Sequence, residues 1–457
     1  MTVVRYARFL ALAASASLLF GAASEVLELL VNRVDEGKKA VGIVVATISP
    51  ESRDVTPYGV MAKGTTAPVN GDTLFEIGSI TKVFTSVILA DMAVHGELKL
   101  DTPVADLLPA AVRIPRRNGK QITLLDLAMH VSGLPRMPPD FKPADLDNPF
   151  AAYDAPQLYG FLSSYQLPRD IGSQYEYSNL GAGLLAHALA RKAGVSYAEL
   201  LRIRILDPLG MISSGIALSE SQKHRLATGY DASLQPARNW DFDVLAGAGA
   251  LHSTANDLLK FLAAVLELNT TPLTPAMRLM NTVHHSTASP DMEVMMGWHV
   301  WKRYGTRIVW HNGVTGGYWS FIGFDPVKRT GAAVLSNTRF DNDAIGLHAI
   351  NHEWPVEKLV PPKQRVERAI DPATLGRYVG VYRFGPSYSV QVSLEYGHLW
   401  VRDNSDKALE LFAEKDDEFF FQAIDAQVSF VADAEGKVTK LILHVNGDDS
   451  VAMKVQQ

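Results

Sequence analysis

Phe75-Glu-Ile-Gly-Ser-Ile-Thr-Lys82 is the stretch on which the reading of this chain turns. It leaves a loop at Gly78 and opens a helix, because from Ile80 to about Val94 the apolar positions Val83, Phe84, Val87, Ile88 and Met92 recur at helical spacing. Ser79 and Lys82, three apart at the head of that helix, fall side by side on one face. A serine hydroxyl is a poor nucleophile until a base takes its proton. A lysine held close and partly desolvated can have its pKa lowered enough to serve. The helix N-terminus adds free backbone N–H groups where an oxyanion could be stabilised. A plainer reading makes Ser79 an N-cap and Lys82 a solvated charge.

Working outward, Val41-Gly-Ile-Val-Val-Ala-Thr-Ile48 is β-branched and apolar and stops at Ser49-Pro50, a buried-strand signal, with a weaker strand before Gly64. Residues from about 100 to 290 read mainly as helices between Pro- and Gly-rich loops, among them 124–130, 180–193 and 254–266. Thr123 with Asp126 and Thr254 with Asp257 have capping-box spacing. Strand character returns near residue 297, over 298–301, 306–310, 319–324 and 331–335. The economical layout is an α/β domain: one antiparallel sheet built from both ends, flanked by helices, with a large helical insert beside it. It is expected over residues 25–354. A linker containing Pro361-Pro362 is expected over 355–370, and short strands over 371–457 read as a small antiparallel barrel or sandwich.

Composition narrows the function. The 457 residues are 47% hydrophobic and 20% charged, which suits a well-cored globular chain. A net charge of −6 offers no basic stripe, so no nucleic-acid partner is expected. There is no cysteine, which excludes disulfides, thiolate-bound metals and a thiol nucleophile. Arg5 and Arg8, an apolar run from Phe9 to Phe20 and small residues at 21–24 form a secretory-signal pattern over residues 1–23, with an uncleaved membrane anchor as the alternative. The expected location is therefore periplasmic or secreted.

Two further motifs stand out. Tyr177-Ser178-Asn179 is the chain's only Y-x-N and precedes the glycine-punctuated start of a helix. A tyrosine set among cations can share a proton with serine and return it to a leaving group, and Asn179 could orient both lysine and a substrate amide. Alternatively Tyr177 packs with Tyr175. In Trp310-His-Asn-Gly-Val-Thr-Gly-Gly317 an edge strand ends in polar residues and glycines, where backbone N–H groups could complete an oxyanion hole and His311 could polarise a substrate. His311 could equally be a structural histidine at a strand end. His284-His285 lies in a polar loop without metal-like spacing, and His130 reads as a cation ending a helix. The chain carries no G-x-S-x-G, H-E-x-x-H, P-loop or G-x-G-x-x-G sequence.

S-x-x-K, Y-x-N and H-x-G, in that order, resemble the class C β-lactamase and penicillin-recognising serine hydrolase family, which includes D-aminopeptidases and family VIII carboxylesterases. Thr123-Leu-Leu-Asp-Leu-Ala-Met-His-Val-Ser-Gly-Leu-Pro135, Pro208-Leu-Gly-Met211, Gly249-Ala-Leu-His-Ser-Thr254 and Leu335-Ser-Asn337 look like its framework segments, and the tail looks like the lipocalin-like barrel that some members append. The resemblance implies a β-lactamase/transpeptidase-like fold and an acyl-enzyme on Ser79. It casts Lys82 as activating partner, Tyr177 as general base and proton shuttle, and Asn179 as the contact to the substrate amide. The oxyanion hole would be the backbone N–H groups of Ser79 and of Val314, just after Gly313. No metal or organic cofactor is implied. The partner would be a small-molecule or short-peptide substrate, with peptidoglycan fragments and a second copy of the chain as further candidates. One departure is His311, where class C β-lactamases resemble one another in having the lysine of K-T-G. Histidine is largely neutral at pH 7 and offers a substrate carboxylate no fixed charge. Esters therefore compete with D-configured peptides and β-lactams as substrates, and a catalytically inactive binding protein is the alternative from another class.

Overall fold

The structure, a computed structural model, describes residues 25–139, 141–360, 365–385, 388–395, 397–403, 408–422, 426–445 and 448–455. The signal pattern at 1–23 and Pro361-Pro362 lie outside them. The chain divides into two compact units between Val360 and Pro361.

The first unit is organised by an eight-stranded antiparallel sheet. Its strands are β1 (Gly42–Ile48), β2 (Arg53–Gly59), β3 (His284–Ser286), β4 (Met292–Met295), β5 (Trp298–Arg303), β6 (Thr306–Val314), β7 (Trp319–Asp325) and β8 (Thr330–Ser336), in the spatial order β2-β1-β8-β7-β6-β5-β4-β3. Strands from both ends of the unit meet where β1 pairs with β8, Ile43 opposite Ser336 and Ile48 opposite Gly331. Successive side chains of a strand point to opposite faces. Val44, Ala46 and Ile48 accordingly join the large core on one face, while Ile43 and Val45 join Leu30, Ile345 and Ile350 on the other. Both faces are covered, which explains why β1 reads as a continuous apolar run and not as an alternation.

On the larger core side lie α1 (Thr81–Val94), α2 (Leu124–Ala128), α3 (Ala155–Ser164), α4 (Asn179–Ala193) and α5 (Ala255–Val265). Every residue of α1 from Thr81 to Met92 is buried, so it is a central helix with no solvent face. Phe84 stacks on Phe261 of α5 at 4.4 Å, locking α1 against the helix that covers the sheet. The capping box at Thr123 and Asp126 forms in full. At Thr254 only half forms: its hydroxyl accepts from the Asp257 N–H, but the Asp257 carboxylate turns instead to the Ser213 N–H and Ser214 hydroxyl. His284 and His285 belong to the edge strand β3, a correction to their reading as loop residues.

The second unit is a closed antiparallel barrel of eight strands running in chain order from β9 (Gly380–Arg383) to β16 (Asp448–Lys454). β9 closes on β16 through Tyr382 and Lys454. Tyr378, Tyr382, Val392, Leu399, Phe419, Phe430 and Leu441 fill its core.

Candidate active site

Ser79 sits in a single 3-10 turn, Gly78–Ile80, that feeds directly into α1. Because α1 is buried all round, Lys82 in its first turn is buried with it. Lys82 Nζ lies 2.8 Å from Ser79 Oγ and 2.6 Å from the Ala248 carbonyl oxygen. Desolvation, with a smaller contribution from the Arg136 guanidinium, pushes the Lys82 ammonium well below its usual pKa. Burial thus favours the amine form of Lys82, whose lone pair would lie beside a serine hydroxyl.

Tyr177 stands at the entry to α4, where the Ser178 hydroxyl caps the helix by accepting from the Gly181 N–H at 2.8 Å. Its ring lies under Lys82 Nζ at 4.8 Å and beside Arg136 at 5.1 Å, and its hydroxyl is hydrogen-bonded to Ser79. Burial raises the phenol's pKa, so Tyr177 is a neutral O–H donor.

The third motif is delivered by β6. This strand is interior to the sheet, not at its edge, but β5 pairs with it only as far as Trp310, whereas β7 follows it to Val314. Asn312 to Val314 thus present one backbone edge without a partner strand. Two glycines let that edge approach the serine turn. A Cβ on Gly313 would meet the Ile77 carbonyl oxygen at 1.9 Å, and one on Gly78 would meet Val314 N at 2.8 Å. Ser320 Oγ donates to the same Ile77 oxygen at 2.8 Å. Gly313 is therefore a packing contact behind the site, whereas Val314 and Asn312 reach the cavity wall.

The cavity, about 400 Å³, is lined by Ser79, Tyr177, Asn179, Asn312, Val314 and two guanidinium groups, Arg136 and Arg339. The same cavity has an aromatic wall of Phe150, Trp240 and Phe242, with Phe150 and Phe242 stacked at 4.9 Å. The structure thus brings Ser79, Lys82, Tyr177, Asn179, Val314 and His311 into one place.

Sequence reasoning missed two histidines there. His130 is not a helix-ending cation: it lies past the end of α2 with φ +57°, buried, its ring 4.7 Å from Tyr177 and its Nδ1 accepting the Ser178 N–H at 3.1 Å. His299 of β5 lies 5.0 Å from His311, with its Nε2 2.8 Å from the Tyr175 hydroxyl. His311 Nδ1 donates to the Asn312 carbonyl at 2.6 Å, leaving Nε2 as a buried bare acceptor 1 residue from the cavity wall. Burial pushes all three imidazoles down, His299 to about 4, so none carries charge at neutral pH. Repetition of aromatic and histidine residues in β5 was the one available signal for His299. Among the described residues one imidazole–carboxylate group converges closely enough to suit a metal, Glu25 with His348 and His352, and none of its members lines this cavity.

The Beta-lactamase family profile matches residues 28–352, and a domain of unknown function, DUF3471, matches residues 364–456. The chain is 28% identical over 346 residues to the D-alanyl-D-alanine-carboxypeptidase/endopeptidase AmpH of Escherichia coli K12, covering 71% of this chain and 88% of that one. It is 25% identical over 356 residues to a beta-lactamase of Pseudomonas fluorescens, covering 70% and 94%. Among solved structures, a beta-lactamase/D-alanine carboxypeptidase from Yersinia pestis superposes with a TM-score of 0.63 at 26% identity, over 72% of this chain and 97% of that one.

Proposed function

This chain belongs to the beta-lactamase family of serine hydrolases, and on that premise we propose that it is an exported enzyme that acylates Ser79 and then releases the acyl group to water. The observation that carries this reading is the 2.8 Å approach of Lys82 Nζ to Ser79 Oγ in a site where burial disfavours the ammonium form. Ser79 O–H gives its proton to Nζ as Oγ attacks the carbonyl carbon. The negative charge that develops on the carbonyl oxygen meets the backbone N–H groups of Ser79 and Val314. Tyr177, a neutral phenol between Lys82 and Ser79, passes the proton to the leaving group, and the same relay run with water frees the acid. Asn179, in the cavity wall, is placed to contact a substrate amide.

The cavity favours an anion. His311 supplies no charge where K-T-G would place lysine, which by itself favours neutral esters. Arg136 and Arg339 line the same cavity, however, and give it two permanent cations. A carboxylate-terminated D-alanyl peptide fits both that charge and the aromatic wall, and the resemblance to a D-alanyl-D-alanine carboxypeptidase supports the same choice. Export rests on the signal pattern at residues 1–23, and no helix among the described residues is long and apolar enough to cross a membrane.

The test is intact-mass analysis of the purified protein with and without a penicillin, beside turnover of p-nitrophenyl esters and of a D-alanyl-D-alanine peptide. An adduct on Ser79, peptide turnover, and loss of both in Ser79→Ala are expected. No adduct and no turnover on a folded protein would leave it a binding protein that has kept the fold.

A further inference from the structure

Asp343 belongs to none of the motifs above, yet its carboxylate closes on the strand that borders the cavity. It opens α6 (Asp343–Ile350). Its Oδ2 accepts from the Asn312 side-chain Nδ2 at 2.6 Å, and its Oδ1 accepts from Trp319 Nε1 at 2.7 Å. Asn312 is the middle residue of the H-x-G segment and lines the cavity. Trp319 stands opposite Val314 in the β6–β7 register. One carboxylate therefore uses both oxygens to clip the two strands on either side of the hairpin that carries Val314.

The clip also sets a direction. An ionised carboxylate only accepts hydrogen bonds, so it selects the NH2 end of the Asn312 amide and turns the carbonyl end away from itself. Asn312 lines the cavity, and its Oδ1 is the end that Asp343 leaves free. We propose that Asp343 is a positioning residue that presents Asn312 Oδ1 to the cavity as an acceptor, making the site selective for substrates that carry an N–H donor on the acyl side. The proposal rests on the hydrolase reading above and deepens it: it separates acylamino and peptide substrates from simple esters of otherwise equal shape.

Protonation reverses the direction. A carboxylic acid at Asp343 can donate its O–H to Asn312 Oδ1, which turns the NH2 end toward the cavity and removes the acceptor. Burial and the neighbouring Asp341 carboxylate push Asp343 up to about 7. From β6 and β7 the groups that face it are the uncharged donors Asn312 and Trp319, and its own loop brings Asp341, whose carboxylate accepts from the Asp343 N–H at 2.8 Å. The acceptor is present above that pKa and lost as pH falls through it.

The experiment compares two activated esters, one whose acyl chain carries an acylamino N–H and one with CH2 in its place, on the full-length protein from pH 5.5 to 8.5. The ratio of their kcat/KM values cancels the titration of Lys82, which both substrates share. The wild type is expected to favour the N–H substrate by about tenfold at pH 8, the size of one neutral hydrogen bond, through KM, and to lose that preference toward pH 5.5. In Asp343→Asn the preference should fall to about twofold and no longer depend on pH. Should that variant not fold, Asn312→Ala decides, and it too should lose the preference. Loss of both substrates by the same factor in Asp343→Asn, or a preference retained in Asn312→Ala, would overturn the proposal. If the wild type turns over neither ester but does hydrolyse the D-alanyl-D-alanine peptide, this proposal alone is overturned; if it turns over none of the three, the hydrolase reading fails with it.

Discussion

Lys82 Nζ stands 2.8 Å from Ser79 Oγ and 2.6 Å from the Ala248 carbonyl oxygen, one turn into a helix that is buried from Thr81 to Met92. The carbonyl takes one N–H and orients the amine, and the apolar surroundings disfavour its charged form. The pair is thus prepared for proton transfer before any substrate arrives.

A group that must be neutral cannot be replaced by one that never is. Lys82→Arg should be as inactive as Lys82→Ala, each losing roughly 10³-fold or more in kcat/KM, because a guanidinium is not deprotonated in proteins. The sign of the pH dependence follows: the active form is the amine, so kcat/KM falls as pH falls through the depressed Lys82 pKa. Steady-state rates across pH for the three proteins check this. The depression has a second consequence. The unfolded chain holds the Lys82 proton up to about pH 10.4 and the folded one does not, so Lys82 makes stability rise with pH between the two pKa values.

Arg136 contributes to that depression as well as lining the cavity. Arg136→Gln should therefore move the acid limb of the profile to higher pH. It should also raise KM for a carboxylate-terminated peptide about 10- to 100-fold relative to its C-terminal amide, the range of a charge-assisted hydrogen bond. A profile that stays in place would detach Arg136 from Lys82.

Tyr177→Phe removes the hydroxyl bonded to Ser79 while keeping the ring between Lys82, Arg136 and His130. Both acylation and deacylation should slow, each by about 10²- to 10⁴-fold, the usual scale of a positioned proton donor. Stopped-flow measurement of the acylation burst and of the steady state separates the two steps.

Gly313→Ala tests the approach of β6 to the serine turn. The added methyl would meet the Ile77 carbonyl, a backbone atom that cannot swing aside, at 1.9 Å. Turnover should drop about 100-fold or more as Val314 moves from Ser79, the scale of losing an oxyanion donor. Circular dichroism and thermal melting establish that the variant is folded, and penicillin adduct formation reports the site.

His130→Ala leaves the buried Ser178 N–H without its acceptor. A thermal-stability loss of about 1–3 kcal/mol is expected, together with a fall in kcat as Tyr177 loses the ring at 4.7 Å. Unchanged kcat with lowered stability would make His130 purely structural.

Which parts were legible in advance follows from the range of each interaction. The S-x-x-K pair is set by helical spacing over three residues, and the start of α1 is set by the same local pattern. The capping box at Thr123 is local too, and it formed; the one at Thr254 has the same spacing, but Asp257 is drawn to Ser213 and Ser214, over 40 residues away in sequence. His130 was misread for that reason: its partners are Ser178 and Tyr177, and nothing in the residues around it announces them. The guanidinium pair and the aromatic wall gather residues from loops between 136 and 339, and Asp343 joins them only through the side chains of β6 and β7.

The sequence by itself determined the chemistry on offer: a serine and a lysine on one helix face, a tyrosine before a capped helix, a histidine and glycines in a strand, strands at both ends of a helical middle, and no thiol. Only the tertiary structure decided how those groups are charged and aimed. Desolvation is a property of everything packed around a side chain, so Lys82 is pushed toward its amine form and the histidines stay neutral only once α1, β5 and β6 are assembled around them. Direction is likewise collective, since the carboxylate that holds the Asn312 NH2 group is carried in by the fold from another element.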